Sequence, residues 1–255
     1  MKNTIQLENS IRTALEDFKR RLDQQRLFQI QNLLLKAIYQ EVIRSKYCQS
    51  LVIQNLSLEY EDFYQKLRGS GRSYENIVNE KSLVDTYSAF ENFLFDCFYA
   101  LYKFFPKYLG AEITISIVDL FINDDLEMCK KNLIENKVKK IIQSNNILNI
   151  LDHLNKDFKL KIIIDEEEKY ILYEISLIRN LIVHNNGIVN LIYIDQVQKF
   201  LKGRVKYPFS EGRTVLDKLE DLLDDLKSIS LKVCEKIASK IIEDSLRIQK
   251  YHDSK

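Results

Sequence analysis

Apolar residues recur every three or four positions from Ile5 onward, at Leu7, Ile11, Leu15, Phe18 and Leu22, then crowd into a richer face through Leu33, Leu34, Ala37, Ile38 and Val42. That is the period of an amphipathic helix, and it predicts about two long helices between Ile5 and Leu67. The string Arg68-Gly69-Ser70-Gly71-Arg72-Ser73 interrupts the pattern, because glycines and serines beside isolated charges favour a flexible connection. The chain is therefore expected to divide into a long amphipathic N-terminal helical extension over residues 1–72 and a helical domain over residues 73–255.

Ser73 stands where an N-cap is needed, with Asn76 three residues on, and Val84, Tyr87, Phe90, Leu94, Phe98, Leu101 and Phe105 follow at helical spacing until Pro106 stops them. This predicts a core helix. Residues 111–160 mix apolar positions with Lys130, Lys131, Lys137, Lys139 and Lys140, and breaks at Asn123-Asp124-Asp125 and Ser144-Asn145-Asn146 predict two or three shorter helices. Asp165 with Glu168 has the form of a capping box, and Glu166 and Glu167 add negative charge where the helix dipole favours it. Ile171, Ile175, Ile178 and Ile182 then mark a buried stripe with Leu181 beside it, ended by the left-handed stop Asn185-Asn186-Gly187. Residues 188–212 read as a mixed loop with a short hairpin. Thr214 with Asp217 opens a last long helix, in which Leu216, Leu219, Leu223, Leu226, Val233 and Ile237 form a nearly heptad seam.

Composition narrows the fold class. Among 255 residues there are only 6 Gly and 2 Pro, too few to supply the turn every 8 to 12 residues or so that a large sheet or barrel needs. An all-α fold is expected. The 38 Lys and Arg nearly balance 37 Asp and Glu, so no global charge advertises a nucleic-acid or membrane partner, and any such partner must be met locally. Cys48, Cys97, Cys129 and Cys234 are scattered without metal-ligand spacing, which fits reduced, buried thiols in a cytoplasm. No leader peptide is expected, because the start at Met1-Lys2-Asn3-Thr4 carries no apolar region, and no membrane span, because the most apolar stretch, Phe90 to Phe105, is interrupted by Glu91, Asp96 and Lys103.

Candidate chemistry concentrates in Arg179-Asn180-Leu181-Ile182-Val183-His184. Asn180 and His184 are one helical turn apart and share a face, where the amide is placed to hydrogen-bond and orient the imidazole. Arg179 lies about 100° around the helix and flanks that polar edge. In the last turn the dipole favours a protonated imidazole, and a cationic His beside an Arg suits a phosphate. The plainer alternative is an ordinary surface pair.

At these residues the sequence resembles the HEPN superfamily, all-helical proteins whose motif is Arg, a polar residue, three more residues and His. The aromatic helix around Tyr87-Ser88-Ala89-Phe90-Glu91-Asn92-Phe93-Leu94 is similar to the first core helix of HEPN ribonuclease-like domains, including one inward Glu, here Glu91. The resemblance covers about residues 74–240. It implies a HEPN-like helical bundle and a metal-independent endoribonuclease, with Arg179, Asn180 and His184 as site residues and Glu91 in support. It also implies a toxin or effector in antiviral defence. One His serves poorly as base and acid on opposite sides of a phosphorus, so a two-fold homodimer joining two motifs is the economical arrangement. HEPN toxins silenced by AMPylation carry a Tyr two residues after the His, where this chain has Asn186.

Other candidates carry less. The lysines at 130–140 are placed to track RNA phosphates or to form a solvated helix face. Capping accounts for Asp165 to Glu168 better than a metal does, so no metal or cofactor is expected, and His153 and His252 read as exposed bystanders. Residues 1–67 are a candidate surface for a protein partner or antitoxin. The rival reading of the whole chain is a catalytically silent helical module that binds a nucleotide or another protein.

Overall fold

The computed structural model describes residues 2–44, 73–109, 126–144, 146–202 and 204–254. Within them the fold is all-α: α1 (Lys2–Arg44), α2 (Tyr74–Phe104), α3 (Leu126–Ser144), α4 (Ile147–Asp157), α5 (Glu166–Asn185), α6 (Leu191–Gln196) and α7 (Leu219–Ser254). Backbone pairing between extended segments is confined, among the described residues, to one antiparallel bridge, Ile188 with Thr214.

The aromatic helix is buried on several faces at once. Leu83, Phe90, Phe93, Leu94, Cys97, Phe98, Leu101 and Tyr102 all lie inside, so α2 has no single apolar stripe but a core surface nearly all round. Ser73 caps it by accepting the Asn76 backbone N–H at 3.1 Å, and Pro106 begins a tight 3-10 turn where it ends. Helices α1, α3, α5 and α7 pack around it. Phe18 of α1 meets Phe90 and Phe93 with ring centroids 6.5 and 5.9 Å away, and Phe158, just after α4, meets Tyr102 at 5.1 Å.

The first helix does not stand apart from this bundle. Leu7, Ile11, Ala14 and Phe18 belong to the same buried cluster as the residues of α2 and α7, so the segment expected as an extension begins as core. Further along, the side of α1 facing α2 turns polar, with Gln25 near Asp85 (3.4 Å) and Gln29 donating to Asn79 (3.0 Å). There Leu27, Ile30, Leu33, Leu34, Leu35 and Ile38 are exposed. The breaker at 68–73, apart from Ser73, lies outside the described residues, as do Cys48 and the break at 123–125. Cys97, Cys129 and Cys234 are buried.

The helix carrying the candidate motif is fixed at both ends. At its start Asp165 accepts the Glu167 N–H (2.9 Å) and Glu168 accepts the Asp165 N–H (3.3 Å), the reciprocal capping box that the sequence predicts. Burial alone would raise Glu168, but bonds from Lys232 and Lys236 of α7 and from the Asp165 backbone outweigh it and hold the carboxyl below its usual range. One face then buries Ile171, Ile175, Ile178 and Leu181. Glu174, fully buried, accepts the backbone N–H groups of Lys206 and Tyr207, each at 2.9 Å, and so ties the loop after α6 to α5. At the far end Asn186 takes the left-handed conformation (φ 52°) and the Gly187 N–H returns to the Leu181 carbonyl at 3.0 Å.

Residues 188–212 are not a hairpin. Asn190 accepts the Tyr193 N–H at 2.9 Å and starts α6, which continues through a π turn at Val197–Leu201. The alternation around Ile192-Tyr193-Ile194 looks strand-like, yet only Tyr193 is buried, and the cap decides for a helix. The last helix begins at Leu219 after a 3-10 turn, Leu216–Lys218, and it buries Leu219, Leu223, Leu226, Val233 and Ile237 as the heptad spacing predicts.

If α1 is integral to the core, Phe18→Ala should cost about 3–5 kcal/mol in equilibrium urea unfolding. A loss under about 0.5 kcal/mol, the usual size for a surface site, would show that α1 packs only loosely.

Candidate functional site

Because Ile178 and Leu181 are locked in the core, the residues beside them on α5 stand along its edge. Arg179 is half-buried, while Asn180 and His184 are exposed. The Arg179 guanidinium donates from Nη1 to Asn180 Oδ1 at 3.1 Å. The Asn180 oxygen, expected from the sequence to face His184, is thus engaged by Arg179. The guanidinium also sits 5.9 Å from the centroid of the Tyr87 ring and 3.9 Å, Nη2 to Oε2, from Glu91, both on α2. Its Nε has no hydrogen-bond acceptor among the described residues.

Glu91 thus lies beside Arg179, but as a long contact rather than a hydrogen-bonded pair. Burial raises its carboxyl above the ordinary value, and the nearby guanidinium opposes that only in part. Burial likewise raises the Tyr87 phenol, which stays neutral beneath the guanidinium. An arginine with a weakly held carboxylate and spare donors is ready to exchange that partner for an anion.

These side chains stand in the wall of a cavity of about 1040 Å³ enclosed by α2, the junction of α3 with α4, α5 and α6. Glu91, Arg179, Asn180 and His184 all line it, as do Tyr173, Asn146, Asn190 and Gln196. Comparison of the chain with protein-family models, with curated proteins and with solved structures finds no match. The chemistry of the cavity therefore rests on its own residues.

Of the five lysines singled out in the sequence, only Lys139 lines the cavity. Lys130 pairs with Glu127 (2.6 Å), and Lys131 and Lys139 both approach Glu135 (3.8 and 3.5 Å), which is the pattern of a solvated helix face. Lys140 is exposed and Lys137 half-buried on the same helix, neither in the cavity wall. His153 approaches Asp157 at 3.5 Å, away from the motif. Among the described residues no group of three His, Cys, Asp or Glu is placed to hold a metal ion, and no helix is long and apolar enough to cross a membrane.

Two features of the site carried no clear signal in the sequence. Val183, Ile188, Leu191 and Ile192 are exposed apolar side chains close along the chain to His184, and Ile192 also stands in the cavity wall. In the sequence Asn146 stands only as part of a break and Asn190 only within a mixed loop, and nothing in the local pattern marks Gln196.

Because Glu91 is raised in the folded protein, its contribution to stability is full below the unfolded carboxylate value and is lost as pH rises through the folded one. Glu91→Gln cannot ionise. Its melting temperature relative to wild type should therefore climb between about pH 4 and pH 7, measured by thermal unfolding across that range; a difference that falls with pH would mean that Arg179 outweighs burial.

Proposed function

We propose that this protein is a metal-independent endoribonuclease that works as a two-fold dimer, in keeping with its resemblance to the HEPN superfamily. The observation that carries this reading is the cluster of Arg179, Asn180 and His184 on one edge of α5, opening onto a cavity with Glu91 behind it. In this reading a base takes the proton of the ribose 2′-hydroxyl, the 2′-oxygen attacks phosphorus, and an acid gives a proton to the departing 5′-oxygen. The products are a 2′,3′-cyclic phosphate and a 5′-hydroxyl. Arg179 holds the phosphate and stabilises the charge of the phosphorane, with Asn180 fixing one arm of its fork. His184 transfers protons.

One imidazole does not reach both sides of the phosphorus, so a second copy of α5 supplies the other. Val183, Ile188, Leu191 and Ile192, exposed and near His184 along the chain, support this, since they are side chains of the kind a self-complementary contact buries. Toxicity and a role in defence are part of the same proposal. The silent interaction module is favoured by one separate observation, the exposed apolar run from Leu27 to Ile38 on α1, which suits a protein partner.

The test is incubation of wild type, Arg179→Ala and His184→Ala with transfer RNA and bulk RNA in excess EDTA, followed by end-group analysis. Wild type should leave cyclic phosphates, and each variant should lose on the order of 10²–10⁴-fold in rate. Co-expressing an excess of the His184→Ala chain with wild type should suppress the activity, because a mixed dimer keeps only one of the two imidazoles. Absence of cleavage by wild type would turn the interpretation to the interaction module.

A further inference from the structure

A half-exposed aromatic ring stands in the cavity wall one helical turn along α2 from the carboxylate that faces Arg179. Tyr87, Glu91 and Phe95 are spaced by four and so lie along one face of that helix. Of the aromatic side chains that line the cavity among the described residues, Tyr87, Tyr173 and Tyr193 are buried, and each ring is engaged by the protein. Tyr87 lies beneath the Arg179 guanidinium, Tyr173 meets Gln196 and Phe200, and Tyr193 packs on Phe209. Phe95 is the half-exposed one. Its orientation is set by Tyr99, a turn further along, with ring centroids 6.2 Å apart and planes 14° from parallel. A ring held in this way keeps apolar area in contact with water that a planar ligand would cover.

Glu91 marks the position of the Arg179 guanidinium, 3.9 Å away, and Phe95 follows after about 6 Å of helix rise. One ribose spans a similar gap between a phosphate and its base. The polar side chains of the wall present both donors and acceptors. Asn146 commits its oxygen to the Asn149 N–H and keeps its nitrogen, whereas Asn185 commits its nitrogen to the Ile188 carbonyl and keeps its oxygen. A wall of this mixed kind rejects no base by its edge, and every base has a face that stacks. The volume, about 1040 Å³, lies at the upper end of the roughly 300–1,000 Å³ typical of ligand pockets, room enough for one nucleotide. We infer that the cavity seats one unpaired nucleotide of any base, with its ring stacked on Phe95 and its phosphate at Arg179. The inference deepens the ribonuclease reading and rests on it for the choice of RNA.

The chain contains no Trp, so Phe95→Trp in the full-length protein places a single fluorescent reporter in the wall. That variant, with and without Arg179→Ala, is titrated with AMP, GMP, CMP, UMP and ribose 5-phosphate, and quenching is corrected against free tryptophan. All four nucleotides should quench and ribose 5-phosphate should not. Arg179→Ala should weaken every nucleotide on the order of tenfold, the loss of a charge-assisted hydrogen bond. In parallel, wild type and Phe95→Leu are compared by calorimetry with UMP and by RNA cleavage in excess EDTA. Leu keeps much of the apolar volume but has no ring, so UMP should bind on the order of tenfold more weakly, and KM should rise by a similar factor with much less change in kcat. This comparison uses no Trp and decides the matter if Phe95→Trp does not fold, as the titration does if Phe95→Leu does not. A ring that only packs α2 against its neighbours would lower the melting temperature of Phe95→Leu and leave its affinity for UMP unchanged, which overturns the inference. Quenching by ribose 5-phosphate as strong as by the nucleotides, by a single base type, or by none of them also overturns it. Cleavage with a KM unmoved by Phe95→Leu would sink the stacking site and leave the ribonuclease reading intact. Base-dependent quenching without cleavage would do the reverse.

Discussion

The helix at Tyr74–Phe104 is buried on more faces than any single partner helix can cover, and the rest of the bundle is arranged by the need to cover it. Fully burying one large apolar side chain is worth about 1.5–3 kcal/mol, and this helix carries a run of them, from Leu83 through Phe90, Phe93, Phe98 and Tyr102. Helix α1 supplies Phe18 to one side, α7 a long leucine and isoleucine seam, and the segment after α4 supplies Phe158. At Glu91 this core helix also contributes to a site, because there its neighbour is the guanidinium of Arg179 rather than another ring.

Capping and chemistry are joined in the same side chains. Helices α4 and α6 need N-caps, and asparagine meets that need with its oxygen while leaving its nitrogen free of the backbone. When two such caps open onto one cavity, a structural requirement of the backbone also adds amide donors to the cavity wall. Gln196 adds another through a different constraint, the buried hydroxyl of Tyr173. Arg179 and Lys139 bring positive charge to the same cavity, and Glu91, raised by burial, holds its charge less firmly than an exposed carboxylate would.

Helix α1 has two characters. Its first turns are indistinguishable from the rest of the core, while its later turns meet α2 through Gln25 and Gln29 and turn leucines and isoleucines outward. Apolar periodicity is the same along both parts. Periodicity reports that a helix has an apolar face and is silent on what that face meets, so the segment read as one extension proved to be partly core.

The sequence by itself determined the helices and their ends wherever the cause is local. Ser73, Pro106, Asp165 with Glu168, and Asn186 with Gly187 act through backbone hydrogen bonds and dihedral limits within a few residues, and each is found in the role its type predicts. The edge placement of Arg179, Asn180 and His184 was equally legible, because it follows from helical spacing. Tertiary structure decided what those residues touch: Arg179 met Tyr87 and Glu91 of α2, and Lys139 alone of five lysines reached the cavity. These outcomes depend on contacts between residues dozens of positions apart. Spacing along one helix fixes direction, but only packing fixes the neighbour.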